Sequence, residues 1–120
     1  MYLKPKVIAE IGCNHKGDIS IAKQMIEIAA QSGVQVVKFQ KRNNKELLSA
    51  EQYNNAHPNP MHSYGSTYGA HREFLEFNIE QHKNLKSFAE LNGLIYSTSV
   101  WDIISAEEIV ALNPDFIKIP

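Results

Sequence analysis

Cysteine is almost absent. Cys13 is the only one in 120 residues, so no disulfide can form within the chain, and a reducing, cytoplasmic setting is the default expectation. No apolar stretch approaches the ~18–20 residues that a membrane-spanning helix needs. The opening Met1-Tyr-Leu-Lys-Pro-Lys6 leads into a strand and lacks the apolar core of a secretory signal. Charge of one sign is lacking too: 12 Lys and Arg stand against 13 Asp and Glu, for a net charge of −1. That balance argues against a broad nucleic-acid surface. There is no P-loop, no dinucleotide fingerprint and no low-complexity tract. Ser97-Thr98-Ser99 lacks the glycines of a nucleophile elbow.

What the sequence does have is four apolar runs that each end on polar or charged residues. They are Val7-Ile-Ala-Glu10-Ile-Gly12, Val34-Gln-Val-Val-Lys38-Phe-Gln40, Leu94-Ile-Tyr-Ser-Thr98 and Phe116-Ile-Lys118-Ile119. Side chains alternate between the two faces of a strand. The expected parity puts Ile8, Glu10, Val36, Lys38, Tyr96, Thr98, Phe116 and Lys118 on one face. Val7, Ala9, Val37, Phe39, Ile95, Ile117 and Ile119 take the other.

Helical spacing fills the gaps. Asp18 N-caps a helix marked by Ala22, Met25, Ile26 and Ala29, and Gly33 stops it. A second helix is expected from about Arg72 to Leu91, with Leu75, Ile79, Leu85, Phe88 and Ala89 inward and Gly93 at its end. Ser105-Ala-Glu-Glu108 reads as a capping box opening a third helix, which Asn113-Pro114 terminates. The order β-α-β-α-β-α-β predicts an α/β fold with a parallel sheet and right-handed crossovers. Polar strand ends gathered on one rim suit a TIM-type (β/α)8 barrel. Such a barrel takes about 250 residues, so the expectation is the first four βα units, with residues 1–120 the amino-terminal part of one barrel domain. Its raw sheet edges would favour association.

Residues 41–71 form a long connection rich in Asn, Tyr, Ser and Pro. A short helix is expected within Lys45–Tyr53. Connections this long are commonly functional or disordered. His57, His62, Tyr64, Tyr68, His71 and Arg72 make the segment either a substrate lid or a solvated excursion. The histidines are too scattered to read as a zinc site.

Glu10, Lys38 and Lys118 are the candidate chemical groups. Buried together, they require pairing or a ligand. Two lysines at one rim suit a doubly anionic small molecule such as a phosphorylated carboxylate. Glu10 can bind a hydroxyl or move a proton, and Gln40 and Thr98 add neutral hydrogen bonds. A purely structural ion network and a Schiff-base lysine are the alternatives. Asn14 and His15 read as loop residues, and Cys13 beside His15 is not by itself a nucleophile–base pair.

Taken together, Ala9-Glu-Ile-Gly-Cys-Asn-His-Lys-Gly-Asp18, Val37-Lys-Phe-Gln40, Tyr96-Ser-Thr-Ser99 and Phe116-Ile-Lys-Ile-Pro120 closely resemble the amino-terminal half of the sialic acid synthase family, which includes spore-coat and surface polysaccharide relatives. The resemblance implies condensation of phosphoenolpyruvate with an N-acylated amino sugar to a nonulosonic acid, with release of phosphate by C–O cleavage. It implies that Lys38, Thr98 and Lys118 bind phosphoenolpyruvate. Glu10 is then the catalytic carboxylate at the amino sugar, with Gln40 a polar, substrate-binding neighbour; Arg72, at the exit of the long segment, is expected to bind substrate from the lid reading rather than from the resemblance. It also implies a divalent metal, Mn or Mg, whose histidine ligands lie in the second half of the barrel, so that no metal ligand is expected in this chain. A homo-oligomer is implied, with no nucleic-acid or membrane partner. Where many members read Ser-Thr-Pro and an aromatic residue, this chain reads Ser97-Thr-Ser-Val100, which leaves the sugar open. The 120 residues alone are expected to be inactive. The competing readings are a Schiff-base aldolase on the same barrel and a truncated, non-catalytic protein that binds anions or partners.

Overall fold

The computed structural model describes residue 1 and residues 3–120. Its centre is a parallel sheet of three strands in the order β1 (Ile8–Gly12), β2 (Val36–Lys41), β3 (Ile95–Val100). In the register, Ile8 lies beside Val36, Glu10 beside Lys38, Lys38 beside Ser97, Phe39 beside Thr98 and Gln40 beside Ser99. Residues in register share a face, so β2 sets the identity of both sides.

One side carries Ile11, Val37, Phe39 and Tyr96. It packs on Ala22, Ile26 and Ala29 of α1 (Ile19–Gln31) and on Leu85 and Ala89 of α5 (Ile79–Leu91). Phe39 and Tyr96 stack with ring centroids 5.9 Å apart. Ile26 and Leu85 are fully enclosed, and burying such side chains is worth about 1.5–3 kcal/mol each. The other side carries Ile8, Glu10, Val36, Lys38, Gln40, Ile95, Ser97 and Ser99; it lies outside the helix-packed core, and Ile8 and Glu10 on it are exposed while Val36, Ser97 and Ser99 are buried. Between Glu10 and Gly12 the pairing shifts by one residue, and Gly12 takes the left-handed conformation, φ 58°. The bulge brings the end of β1 against β2: a Cβ on Gly12 would lie 3.4 Å from Gln40 Nε2 and 3.7 Å from Glu10 Oε1.

Asp18 caps α1 as expected, accepting from the Ser20 and Ile21 backbone N–H groups. Five expectations need correction. The helix expected over 72–91 is two helices, α4 (Tyr68–Leu75) and α5. Glu76 turns extended and Asn78 opens α5 with a full capping box to Gln81, so the break has its own sequence signal. The helix near Lys45–Tyr53 is likewise two, α2 (Asn44–Leu47) and α3 (Ala50–Asn54), separated by the Ser49 capping box. The last helix, α6 (Ile103–Val110), is capped by Asp102 rather than Ser105. Phe116–Ile119 is not a strand of the sheet. It contributes one parallel bridge, Lys118 to Ser99, with Lys118 N–H donating to Thr98 O at 3.0 Å. Finally, the Tyr-Ser-Thr-Ser run is read one residue out of phase, which turns Tyr96 and Thr98 to the helix side.

The stretch 41–71 is ordered by packing. It holds α2, α3, a 3-10 turn at Pro60–His62 and the start of α4. Tyr64 stacks on Phe74, with centroids 4.7 Å apart, and on His71, 5.7 Å apart. Tyr68 N–H donates to Asn55 O at 2.7 Å.

Two glycines separate conformational from steric cost. Gly17 and Gly33 both have positive φ, 74° and 77°. A Cβ on Gly33 meets nothing within 4 Å, whereas one on Gly17 would lie 2.2 Å from Phe74 O. Chemical denaturation of the complete gene product should show Gly33→Ala losing about 1–2 kcal/mol, the left-handed penalty alone. Gly17→Ala should lose about 2–4 kcal/mol, because a backbone must also move. Equal losses would contradict the close approach of Gly17 to α4.

Candidate active site

Lys38 is the best-held cation on the open face. Its residue is 8% exposed. Its ammonium pairs with the Glu10 carboxylate and donates to Ser99 Oγ at 2.6 Å. Both partners follow from the register, since Glu10 lies beside Lys38 on β1 and Ser99 lies beside Gln40, two residues further along the shared face. Glu10 is half exposed at its side chain, so the ion pair opens to solvent and to a ligand. Lys118 lies beside Ser99 through the single bridge. That places it on the same side as Lys38, exposed and in no ion pair among the described residues. Glu10, Lys38 and Lys118 therefore share one side, as the alternation predicts.

Gln40 connects this group to a second one. Its Oε1 accepts from Arg42 Nη2 at 3.4 Å and from Cys13 Sγ at 3.8 Å. Arg72, arriving from α4, donates to Cys13 Sγ at 3.9 Å and to Glu76 Oε1 at 3.3 Å. Glu76 Oε2 accepts from the Arg42 backbone N–H at 3.0 Å. Burial pushes the Glu76 carboxyl above its usual range, against the pull of that N–H and of the nearby cations. Burial, with the Glu76 charge, also pushes the Cys13 thiol up, so Cys13 is not an activated thiolate. Arg72 thus belongs to the Gln40–Arg42 corner rather than to Lys38.

Thr98 departs from the expected site. It is fully buried on the helix side, and its Oγ1 donates to Tyr96 OH at 2.7 Å. Tyr96 OH lies 2.6 Å from His82 Nδ1. In this order Tyr96 donates to Nδ1 and the imidazole proton sits on Nε2, which has no partner among the described residues. The misassignment has a physical cause. In three consecutive hydroxyl residues polarity cannot set parity, whereas the packing of Tyr96 on Phe39 does. Ser97 and Ser99 take the open face instead, and Ser97 Oγ donates to Phe116 O at 2.9 Å. Ser99, Arg42 and Trp101 are the residues that sequence reasoning missed. The signal was available: in register with β2, every second residue from Ser97 falls on the Lys38 side.

His15 is structural. It stacks on Phe77, centroids 4.1 Å apart, and its Nδ1 accepts from Gly17 N–H at 3.0 Å. His71 does the same in the long segment, accepting from Tyr64 N–H at 3.2 Å. Among the described residues, no three His, Cys, Asp or Glu side chains gather into a set that could hold a metal ion. The residues present therefore do not fit the divalent metal that the resemblance implies.

A family model decides what this geometry belongs to, since the NeuB family matches residues 25–120. The chain belongs to the NeuB family. It is 38% identical over 113 residues to the N-acetylneuraminate-9-phosphate synthase of Mus musculus, covering 94% of this chain and 31% of that protein. It is 31% identical over 117 residues to the N,N'-diacetyllegionaminic acid synthase of Campylobacter jejuni, covering 98% and 35%. Among solved structures it is similar to the spore coat polysaccharide biosynthesis protein SpsE of Bacillus subtilis. That match has a TM-score of 0.65 and 26% identity, and covers 95% of this chain and 28% of the other. The chain thus spans about a third of the length of the relatives it matches. This NeuB-family chain is α/β with parallel strands, and no helix among the described residues is long and apolar enough to cross a membrane.

The buried histidines of this NeuB-family chain make its stability fall with acidity. Burial lowers His82 from 6.5 to about 3 and His15 from 6.5 to about 4. Between those values and 6.5 the unfolded chain binds protons that the folded one refuses. Stability is therefore full above about pH 6.5 and declines below it, by up to about 1.4 kcal/mol per pH unit for each histidine. Denaturation midpoints measured from pH 7 to 4 should fall steeply in the parent and less steeply in His82→Gln. Parallel slopes would show that His82 is not buried neutral.

Proposed function

We propose that this chain supplies the phosphoenolpyruvate end of a nonulosonic acid synthase. The observation that carries the reading is the Lys38 ammonium, held by Glu10 and Ser99 on the face opposite the helix-packed core with Lys118 beside it. Lys38 is fixed before any ligand arrives, so an anion meets an oriented charge rather than a mobile one. Lys118, exposed and in no ion pair among the described residues, supplies the second charge. Together they suit the phosphate and carboxylate of phosphoenolpyruvate. Glu10, half exposed and next to Lys38, faces the acceptor and binds or deprotonates a hydroxyl there. Gln40 adds a neutral contact.

In the proposed reaction, phosphoenolpyruvate C3 bonds to the aldehyde carbon of an N-acylated amino sugar. Water adds at C2, and phosphate departs with cleavage of its C–O bond. The names of the mouse and Campylobacter relatives, an N-acetylneuraminate-9-phosphate synthase and an N,N'-diacetyllegionaminic acid synthase, support the reaction class. The three parallel strands form part of a (β/α)8 barrel in this reading, with the site at its strand carboxyl ends. The family's divalent metal receives no step here, because the described residues offer no donor set. For the same reason, the 120 residues alone should release no phosphate from phosphoenolpyruvate. A cytoplasmic homo-oligomer acting in surface carbohydrate synthesis completes the proposal.

The test is phosphoenolpyruvate affinity in the complete gene product. Lys38→Ala and Lys118→Ala should each lose about 1.5–3 kcal/mol, or roughly ten- to hundred-fold. Unchanged affinity in both would reject the anion site. Borohydride with substrate should trap no lysine adduct, while a reduced imine at Lys38 or Lys118 would establish aldolase chemistry instead.

A further inference from the structure

The outermost part of the long segment hangs on one imidazole. Between residues 57 and 66, every hydrogen bond among the described residues is local except one. The Tyr64 backbone N–H donates to His71 Nδ1 of α4 at 3.2 Å. Residues 58–62 in the middle are exposed, so nothing else holds them down.

The packing is built around the same ring. Tyr64 lies nearly parallel to His71, with 11° between the planes. Tyr68 stacks at 6.1 Å, and His57 meets His71 edge-on with centroids 4.4 Å apart. Gly65 lets the backbone close in, since a Cβ there would lie 2.8 Å from His71 N. His71 is buried as a result. His57 is committed in the same way, its Nδ1 accepting from the Asn59 N–H at 2.9 Å. Each ring therefore carries its proton on Nε2 and accepts at Nδ1. An imidazolium accepts at neither nitrogen.

We propose that His57 and His71 form an acid-released clasp, which fastens residues 57–66 to α4 while both Nδ1 atoms accept and frees them when the imidazoles take up protons. The charges around the pair favour release. Arg72 follows His71 on α4, and two imidazoliums at this separation repel. Among the described residues no carboxylate pairs with either histidine, and Glu73, the nearest along α4, takes the Tyr53 hydroxyl of α3 instead. The Tyr64 and Tyr68 rings favour a cation against their faces, but they offer the Tyr64 N–H no replacement acceptor. Burial, then His57 and Arg72, holds His71 below its ordinary 6.5. The closed segment is thus favoured in full above about pH 6.5 and loses that advantage as the pH falls. Arg72 also reaches Cys13 beside Gln40, so the clasp and the candidate site share one helix. The device holds whichever reaction that site performs.

Hydrogen exchange in the complete gene product, corrected for the intrinsic pH dependence of exchange, reads the clasp. Protection of the Tyr64 amide should fall about five- to tenfold between pH 7.5 and 5.5, most of it below 6.5. It should stay well below that of the β2 amides throughout, because the opening is local. Unchanged protection overturns the clasp, as does protection equal to that of β2 at both pH values, which would mean that the segment opens only with the whole fold. In His71→Asn the Oδ1 takes the place of Nδ1 and accepts at any pH, so Tyr64 protection should change less than twofold. A parent-like loss in that variant, folded by circular dichroism, overturns the assignment. Should the variant not fold, ring titration of His71 by NMR in the parent decides. A midpoint that coincides with the loss of Tyr64 protection supports the clasp, and a ring still neutral where protection is gone overturns it.

Discussion

The sheet of this chain and the polar groups it carries are positioned by the register of β2 between its two parallel neighbours. The strand is central, so its alternation is imposed on β1 and β3 at once. Val37 and Phe39 face the helices and close the core, and Lys38 and Gln40 are thereby turned the other way. A slip of one residue would bury a lysine among Ile26 and Leu85 and expose a phenylalanine, a change far more costly than any single hydrogen bond. The hydrophobic contacts on one side thus hold the polar groups on the other, and the placement of Lys38 against Glu10 and Ser99 is a by-product of core packing.

Much of this arrangement is legible in the order of the amino acids. Alternating strands with helical spacing between them give the parallel α/β order. The charges that interrupt the apolar runs mark Glu10, Lys38 and Lys118. The rest is set by contacts distant in sequence. Thr98 and Ser99 are equally polar, and only the stack of Tyr96 on Phe39 and its bond to His82 decides which hydroxyl faces which side. The helix break at Glu76 has a local signal in Asn78 and Gln81. The reason it falls there is tertiary: the Glu76 carboxylate is held by Arg42 and Arg72. Lys118 illustrates the reverse case, with correct parity on a segment that forms one bridge rather than a strand.

The two sides of the sheet treat polar groups differently. On the helix side, Thr98, Tyr96 and His82 form a closed series, satisfied except for one imidazole nitrogen and sealed from solvent. It specifies packing and has no route to a ligand. On the open side, Lys38 is held by Glu10 and Ser99, Gln40 accepts from Arg42 and Cys13, and the half-exposed Glu10 leaves the group in reach of solvent. A buried network with its partners in place rigidifies a fold, whereas an ion pair open to solvent can exchange partners with a ligand.

The backbone of β2 leaves the sheet through two carboxylates. Glu76 accepts from the N–H of Arg42, and Asp102, which also caps α6, accepts from the N–H of Asn43 at 2.7 Å. Farther on, Tyr68 is tied back to Asn55. Between these clamps the excursion rests on α4, with Tyr53 against Glu73 and Tyr64 against His71 and Phe74. It is a span pinned at its root and seated along its length, so a movement within it reaches β2 through the two carboxylates or through α4, the helix that also carries Arg72 to Gln40 and Arg42.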